Sequence, residues 1–297
     1  MNGPSSVFTQ TVEPAAPQIA PDAAAGRAGH GHLPASTAQK VGSLSIVIPA
    51  YNEEKRLPQT LEHITRFLDQ RGGVAEIIVV NDGSKDRTAE IAQQVSTGKW
   101  RVRVIENPGN RGKGYAVRNG ALSAANDWIL ITDADLSTPI EDAARLFQAV
   151  EDHGVEVAFG SRAVDRSLVA VRQSALRELS GRVFNLTMRI LVRLPYADTQ
   201  CGFKLYSRSA ARKIFSRQLL DGFGFDVEDL YLARKLGYQA RETPVRWSNA
   251  EGTKVSLFSG LKAFYELWCV RRNSLMGRYQ IHNPNPTAAA SQAASGE

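Results

Sequence analysis

Residues 44–54 read Leu-Ser-Ile-Val-Ile-Pro-Ala-Tyr-Asn-Glu-Glu, an apolar run that turns polar after one proline. A short apolar run that ends at Pro49 is typical of a buried strand. The next segment predicts a helix, because large apolar residues recur along it at spacings of four, three and four: Leu57, Leu61, Ile64 and Leu68. The chain therefore opens its ordered part with a strand and a helix.

The same alternation continues as far as residue 159. Apolar runs predict further strands at 76–80, 101–105, 128–132 and 155–159. Helical patterns separate them at 88–95, 112–125 and 140–152. Strands that alternate with helices predict an α/β fold, with helices flanking a mainly parallel central sheet. Ligands of such sheets bind beyond the carboxyl ends of the strands, so the residues that follow each strand are the candidates for a site.

Carboxylates follow three of these predicted strands. Glu53 follows the first strand, Asp82 the second, and Asp133 and Asp135 the fourth. One acidic residue in such a place often caps a helix, and that role is sufficient for Glu53 or Asp82 alone. It fits Asp133 and Asp135 poorly, because carboxylates this close repel each other unless a cation compensates. Oxygen ligands at this spacing suit Mg²⁺ or Mn²⁺, completed by phosphate oxygens and water.

A glycine-rich stretch, Asn107-Pro-Gly-Asn-Arg-Gly-Lys-Gly114, supports a diphosphate ligand. It lacks the order and spacing of a P-loop or of a dinucleotide fingerprint. Its glycines allow close backbone approach, and a helix that starts there would present its positive end to an anion. Arg111 and Lys113 add positive charge. A plain flexible turn remains the alternative for the stretch taken alone.

Composition excludes several classes of protein. The chain has 297 residues with 43% hydrophobic and 22% charged, which is ordinary globular usage. Two cysteines are too few for a disulfide scaffold or a multi-cysteine zinc site and fit a reduced, cytoplasmic setting. No stretch approaches the ~20 apolar residues that span a bilayer. Residues 1–42 and 280–297, rich in alanine, proline and small residues, predict disordered tails.

Together these motifs resemble the family 2 glycosyltransferases, which have a GT-A fold. The resemblance rests on the segments 48–54, 80–84, 109–114 and 132–136, in that order. Gly160-Ser-Arg162 and Asp198-Thr-Gln-Cys-Gly-Phe-Lys204 narrow it to the branch that makes polyprenyl-phosphate sugars, the dolichyl-phosphate β-glucosyltransferases in particular. It implies a nucleotide-sugar-binding half at 43–160 and an acceptor-binding half at 161–279.

The resemblance assigns roles to individual residues on the donor side. It implies that Pro49, Tyr51 and Glu53 line the base and ribose, and that Asp82 hydrogen-bonds the base. Lys113 would lie near the base or diphosphate, Asp133 would bind ribose and metal, and Asp135 would be the main metal ligand. Ser137 departs from the glutamine that mannose synthases often carry there, which leaves the third metal ligand open.

On the acceptor side, the resemblance implies that Arg162, Arg177 and Ser180 hold the acceptor phosphate. We expect Gln200 and Lys204 to face the transferred sugar and Cys201 to be a small buried residue. The acidic segment that contains Asp226, Glu228 and Asp229 would contact the sugar or serve local structure, with base catalysis by Asp226 as the alternative. A phosphate acceptor is already ionised at neutral pH, so a strong base is not obligatory.

The second half of the chain carries a concentrated positive charge. Residues 162–217 contain twelve basic and three acidic residues, a net +9 against +6 for the whole chain. Aliphatic residues are interleaved with them, which favours a membrane interface over nucleic acid, with an ordinary amphipathic helix as the alternative. A second candidate interfacial helix has apolar positions spaced like the first helix of the fold and basic residues at its end: Leu257, Leu261, Phe264, Trp268, Arg271, Arg272 and Arg278. A helix that closes the domain is the alternative for this segment.

The sequence thus predicts an inverting glycosyltransferase that moves glucose from UDP-glucose to a polyprenyl phosphate. It would need Mg²⁺ or Mn²⁺ and would lie peripherally on the cytoplasmic face of a membrane. The alternatives are a polyprenyl-phosphate mannose synthase that uses GDP-mannose and, more distantly, a basic nucleic-acid-binding protein. Only the enzymes require the carboxylates at the strand ends.

Overall fold

The computed structural model describes residues 42–95, 99–168, 187–248 and 257–280. Its strands are β1 Leu44–Ala50, β2 Ala75–Asn81, β3 Val102–Glu106, β4 Trp128–Ile131, β5 Val157–Ser161, β6 Lys204–Ser207 and β7 Ala240–Pro244. Its helices are α1 Leu57–Arg71, α2 Thr88–Val95, α3 Lys113–Ser123, α4 Ala143–His153, α5 Arg208–Phe215, α6 Phe225–Lys235 and α7 Leu257–Leu275. The elements predicted from the sequence up to residue 159 are all present.

The strands form one mixed sheet in the order β3-β2-β1-β4-β6-β5-β7. Strand β6 runs antiparallel to both of its neighbours, β4 and β5, and the other pairs are parallel. The predicted α/β class and mainly parallel sheet are therefore confirmed. The sequence did not predict β6 and β7, because β6 has four residues with a lysine at its start and β7, Ala-Arg-Glu-Thr-Pro, has no apolar run.

Helices cover both faces of the sheet, each over its own apolar layer. Helices α1, α2 and α4 pack on one face, where the predicted apolar positions of α1 are buried together with Ile46 and Ile48 of β1. Helices α3, α5, α6 and α7 pack on the other face, against Val47. Alternate residues of β1 thus enter opposite layers, as a strand covered on both sides requires.

The topology brings several chain segments to one edge of the sheet. Strands β1, β2 and β4 are parallel and end at the same edge, where the segments 51–56, 82–87 and 132–139 follow them. Strand β6 is antiparallel to β4 and pairs Lys204 with Ile131, so β6 begins where β4 ends. The segment 198–203, from the later part of the chain, therefore joins the loops that follow β1, β2 and β4.

Some predictions fall on residues outside the described ranges. These are the tails, except for Gly42 and Gln280, and residues 169–186 of the basic segment, which include the acceptor-phosphate candidates Arg177 and Ser180. Within the described residues, no helix has the length and apolar character needed to cross a membrane.

Candidate active site

An ion pair between Lys113 and Asp133 marks the centre of the candidate site. Lys113 is the first residue of α3, and its Nζ lies 2.6 Å from Oδ1 of Asp133. Burial opposes the charge on the lysine, but the negative charges of Asp133, Asp226 and Asp135 outweigh it and raise the pKa of Lys113. The lysine is therefore a permanent cation among three carboxylates that come from two separate parts of the sequence.

The Asp133–Asp135 loop is held in a defined conformation. Thr60 Oγ1 of α1 donates to the carbonyl of Ala134 at 2.6 Å, and Ser137 N donates to Oδ1 of Asp135 at 2.9 Å. Leu136, next to Asp135, has a φ of 45°. A left-handed leucine costs ~1–2 kcal/mol, and such strain is concentrated at functional sites.

Asp133 is also confined by Gly202, which lies in the segment before β6. A Cβ atom at position 202 would lie 2.6 Å from Oδ2 and 2.8 Å from Oδ1 of Asp133. Any side chain at this position would displace the carboxylate. The sequence does not indicate this role, since a lone glycine inside a motif does not reveal which atom packs against it.

The carboxylates at 133 and 135 fit a divalent cation. Both are partly exposed at the carboxyl edge, and both supply the hard oxygen atoms that Mg²⁺ and Mn²⁺ prefer. Among the described residues, no cluster of three or more His, Cys, Asp or Glu side chains could hold a metal ion by itself. A metal held by this pair would need further ligands, such as phosphate oxygens and water, and the metal-binding role of Asp133 and Asp135 stays a prediction.

Asp82 holds the glycine-rich loop. Its buried carboxylate accepts hydrogen bonds from Asn107 Nδ2 at 2.8 Å, from Gly112 N at 2.8 Å and from Arg111 N at 3.1 Å. The predicted helix does start in this stretch, and the anion that its amides bind in this structure is the Asp82 carboxylate. The predicted contact of Asp82 with a donor base stays a prediction.

The loop that follows β1 lines an open cavity of about 270 Å³. Glu53 lines this cavity, and its carboxylate forms a 3.0 Å ion pair with Arg56. The backbone N of Glu53 donates a hydrogen bond to Thr88 Oγ1 at 2.8 Å. Pro49 and Tyr51 are partly buried at the same strand end. The cavity is lined by Asn52, Glu53, Glu54, Lys55, Arg56 and Asp86. The predicted donor-binding residues of β1 thus share one strand end, and their contact with a donor stays a prediction.

A buried ionic cluster lies beneath Lys113. Lys204 Nζ lies 2.8 Å from Oδ1 of Asp226 and 3.0 Å from Oδ2 of Asp229, and Tyr206 Oη donates to Asp229 at 2.6 Å. Burial raises the pKa of Asp229 to about 7 and also raises that of Asp226, although Lys204 opposes both shifts. Asp226, predicted as a catalytic residue, is thus a buried counter-ion that feels both lysines.

Lys204 does not occupy the place expected for it. Its side chain is 1% exposed, so it does not face a transferred sugar. Strand β6 places this lysine in the interior of the protein, where Asp226 and Asp229 compensate its charge. Gln200 lies partly exposed on the segment before β6, with its backbone N donating to Oδ1 of Asp198 at 3.1 Å. Its predicted contact with the sugar stays a prediction.

Arg162 forms a two-pronged ion pair. Its Nε and Nη2 donate to the carboxylate of Asp198 at 2.6 and 2.8 Å, and its guanidinium lies 5.6 Å from the centroid of the Trp247 ring. Burial acts against the charge of Asp198, but Arg162 outweighs it and lowers the pKa of that carboxyl. Glu242 of β7 accepts from the backbone N of Asp198 at 2.7 Å, which fixes this pair to the sheet. Its predicted role towards an acceptor phosphate stays a prediction.

Two other residues near the site serve structure. Cys201 is a buried free thiol, as expected, and burial raises its pKa to about 11. Glu228 accepts from the backbone N of Leu219 and of Leu220, at 3.1 and 2.8 Å, and from Tyr279 Oη. It therefore supports the turn before α6, which is the structural role that was one of the two expected for this acidic segment.

The geometry and the sequence both define a class of protein. Residues 45–215 match the glycosyl transferase family 2. The chain belongs to this family and is a glycosyltransferase with a GT-A fold. This membership favours the enzymes over the nucleic-acid-binding alternative.

Particular relatives narrow the comparison. A dolichyl-phosphate beta-glucosyltransferase of Drosophila melanogaster is 38% identical, over 80% of this chain and 77% of the relative. The human protein of that name is 36% identical, over 84% of this chain and 81% of the relative. A crystal structure of glucosyl-3-phosphoglycerate synthase from Mycobacterium tuberculosis, in complex with Mn²⁺, UDP-glucose and phosphoglyceric acid, has a TM-score of 0.60 at 20% identity, covering 79% of this chain and 81% of that one. The predicted family and branch are confirmed.

Proposed function

We propose that this chain moves glucose from UDP-glucose to a polyprenyl phosphate of the dolichyl type, with inversion at the anomeric carbon. The product would be a polyprenyl-phosphate β-glucose. The observation that carries the proposal is the similarity to relatives named dolichyl-phosphate beta-glucosyltransferase over about four fifths of the chain. The ion pair of Lys113 with Asp133 supports it, because it supplies a cation and carboxylates where a nucleotide diphosphate would need them.

On the donor side, Lys113 stabilises the leaving group. A UDP leaving group gains negative charge in the transition state, and a fixed cation beside it lowers the barrier. Lys113 remains charged at any working pH because its carboxylate neighbours raise its pKa. Asp133 and Asp135 would hold a Mg²⁺ or Mn²⁺ ion, which when bound would neutralise the diphosphate.

On the acceptor side, the attacking oxygen needs no strong base. A phosphate monoester has a second pKa of ~6 and is largely ionised at neutral pH. Asp226 is ion-paired with Lys204 at 2.8 Å, so its first role is to balance the charges of the two lysines. Arg162, together with Arg177 and Ser180, would hold the acceptor phosphate, since a planar guanidinium can grip two phosphate oxygens.

We further propose that the protein lies on the cytoplasmic face of a membrane, with the outer face of α7 in contact with lipid. The expected apolar face is divided in the structure: Phe264 packs on the protein core, whereas Trp268 is 48% exposed. Tyr265 lies beside Trp268, with ring centroids 6.0 Å apart, and Arg272 lies over the Trp268 ring. Aromatic rings next to a cation are typical of interfacial anchors.

A donor panel tests the function. Purified protein with Mn²⁺ or Mg²⁺ and a short polyprenyl phosphate is incubated with UDP-glucose or GDP-mannose, and charged glycolipid is measured. We expect product from UDP-glucose, and loss of at least 100-fold in rate for Asp135→Asn, in line with the cost of removing a group that stabilises transition-state charge. Asp152→Asn, an exposed position on α4, is the control. If only GDP-mannose gives product, the proposed donor is wrong. If Asp135→Asn keeps full activity, the proposed role of Asp135 in metal binding is wrong.

A further inference from the structure

The N-terminus of α3, which carries Lys113, is packed against a turn formed by residues 218–224. A Cβ on Gly114 would lie 2.5 Å from the carbonyl oxygen of Leu220, and one on Gly112 would overlap the carbonyl oxygen of Asp221. Tyr115 N also donates to Asp221 O, at 3.2 Å. Backbone touches backbone here, so a displacement of the turn must displace the start of the helix.

The turn is itself held by a glutamate of the C-terminal helix α7. Oε2 of Glu266 accepts from the backbone N of Gly224 at 2.6 Å. A Cβ on Gly222 would overlap Oε1 of the same carboxylate. The Glu266 carboxylate therefore fills the inner side of the turn, in the space that any side chain at 222 would need.

Burying this carboxylate is costly, because Glu266 is only 5% exposed. A leucine there would bury apolar surface on α7 without the loss of hydration that a charged group suffers. What the carboxylate provides instead is a directed acceptor for a backbone N–H of the turn. The Glu266 carboxylate thus orients the turn, and the end of α3 that carries Lys113 packs against this turn.

These supports lie outside the part of the chain that matches the family. The match covers residues 45–215, whereas the turn and Glu266 follow it. The family-matched segment supplies Lys113 and Asp133, and the later segment sets the position of the helix end that carries the lysine.

We propose that Glu266 is a positioning residue for the donor site. Acting through the turn 218–224, it fixes the N-terminus of α3 and so the distance of Lys113 from Asp133. The inference rests on the proposed function for its kinetic consequences, but the positional effect itself is independent of the substrate.

Kinetics of Glu266 variants provide the first test. In Glu266→Leu, we expect kcat/KM for UDP-glucose to fall between about 10-fold and 100-fold, because misplacing a group by ~1 Å has effects of this size. The KM for the lipid acceptor should stay within about twofold of that of the unmodified chain. Equal losses in the donor and acceptor kinetics would instead indicate general damage to the fold. Glu266→Gln should restore most of the donor kinetics, since its amide oxygen still accepts from Gly224 N.

Glu76 offers a matched control. Its Oε1 also accepts a backbone N–H, that of Ala125 at 2.8 Å, but it lies at the amino end of β2, away from the strand-end loops. Glu76→Leu should lower the melting temperature without changing the KM for UDP-glucose. Equal donor-kinetic losses in Glu76→Leu and Glu266→Leu, or unchanged donor kinetics in folded Glu266→Leu, would overturn the proposal.

Hydrogen–deuterium exchange separates this inference from the proposed function. In the substrate-free protein, Glu266→Leu should speed exchange in peptides that cover 109–117, whereas Glu76→Leu should not. If Glu266→Leu fails to fold, Gly222→Ala replaces it, because its methyl group pushes the glutamate out of the turn. Unchanged exchange at 109–117 in the folded variant would refute the positioning role. If the unmodified chain is inactive on UDP-glucose but Glu266→Leu still speeds exchange at 109–117, only the proposed donor is refuted.

Discussion

Gly202→Ala should impair the donor site while leaving the fold intact. The added methyl group would lie 2.6 Å from Oδ2 of Asp133, whereas ordinary contacts begin near 3.4 Å, so the carboxylate must retreat by about 0.8 Å. That retreat disturbs the 2.6 Å contact of Asp133 with Lys113. A displaced metal ligand or phosphate-binding group typically costs 10-fold to 100-fold, and we expect kcat/KM for UDP-glucose to fall by about this factor.

Stability should respond in the opposite way. Gly202 does not have a positive φ, so alanine fits its backbone and restricts the unfolded chain, a gain of ~0.4–1 kcal/mol. The clash falls on the end of a partly exposed side chain, which can rotate. We therefore expect a melting temperature equal to or slightly above that of the unmodified chain.

The control for this variant is Gly120→Ala on α3. Its methyl group would meet Val47 and lie 2.8 Å from Cγ2 of Val80, both in the core. Overpacking costs about 1–3 kcal/mol, offset by ~1 kcal/mol of helix propensity, so this variant should melt earlier but keep its kcat/KM. The assay measures donor kinetics at saturating acceptor, a Mn²⁺ titration and thermal unfolding. Normal kinetics and a normal Mn²⁺ dependence in Gly202→Ala would refute the role given to the position of Asp133.

Three further variants test charge and surface. Lys204→Met should destabilise the fold by about 3–5 kcal/mol, because it removes the ammonium group that pairs with two buried carboxylates. Burial raises the pKa of Asp229 to about 7 even with Lys204 beside it, so this carboxyl is mostly protonated at pH 6 and needs the lysine when it ionises at higher pH. The loss caused by Lys204→Met should therefore be larger at pH 8 than at pH 6 in urea unfolding. Asp198→Asn should cost ~3 kcal/mol at pH 7, because it leaves a guanidinium unpaired, and should flatten the fall in melting temperature below pH 4. Trp268→Ser should reduce co-sedimentation with anionic vesicles several-fold, whereas Val74→Ser, at a distant exposed site, should not.

The signs of the two pH effects provide the check on this reasoning. Asp198 has a pKa below its ordinary value of 3.8, so its stabilisation is complete above that pH and is lost as the pH falls through the lower, folded-state value. The pKa of Asp229 is raised from 3.8 to about 7 instead, so its contribution to stability is lost as the pH rises through this range. An unchanged acid limb in Asp198→Asn, a pH-independent loss in Lys204→Met, or equal vesicle binding by both surface variants would each contradict its prediction.

The sequence predicted the fold well up to residue 159, because each strand there is an apolar run that can be recognised locally. Runs such as Ile46–Ile48 are buried on both faces of the sheet, and the apolar spacing of α1 matches the side that it buries. Strands β6 and β7 carry no such signal. Their place is set by pairing with β4 and β5, a non-local contact that no local pattern expresses.

The site residues that could be predicted are likewise those whose place follows from a local pattern. Asp133 and Asp135 stand directly after an apolar strand, so their convergence with Lys113 at one sheet edge follows from topology. Lys204 could not be placed, because its neighbours in the cluster are 22 and 25 residues further along the chain. A buried lysine becomes acceptable only when those carboxylates are known to meet it.

The arrangement of Asp226 agrees with the chemistry of an ionised acceptor. The ammonium groups of Lys113 and Lys204 lie 5.9 and 5.6 Å from the centroid of the Phe225 ring, and both act on the adjacent Asp226. Burial raises the pKa of Asp226, but the carboxylate is buried and paired with Lys204 at 2.8 Å, so an acceptor hydroxyl would have to displace the lysine to reach it. An enzyme that had to deprotonate a hydroxyl could not use it this way. An enzyme whose acceptor arrives as a phosphate anion can, and can keep the acid of its cleft for holding Lys113 beside the leaving group.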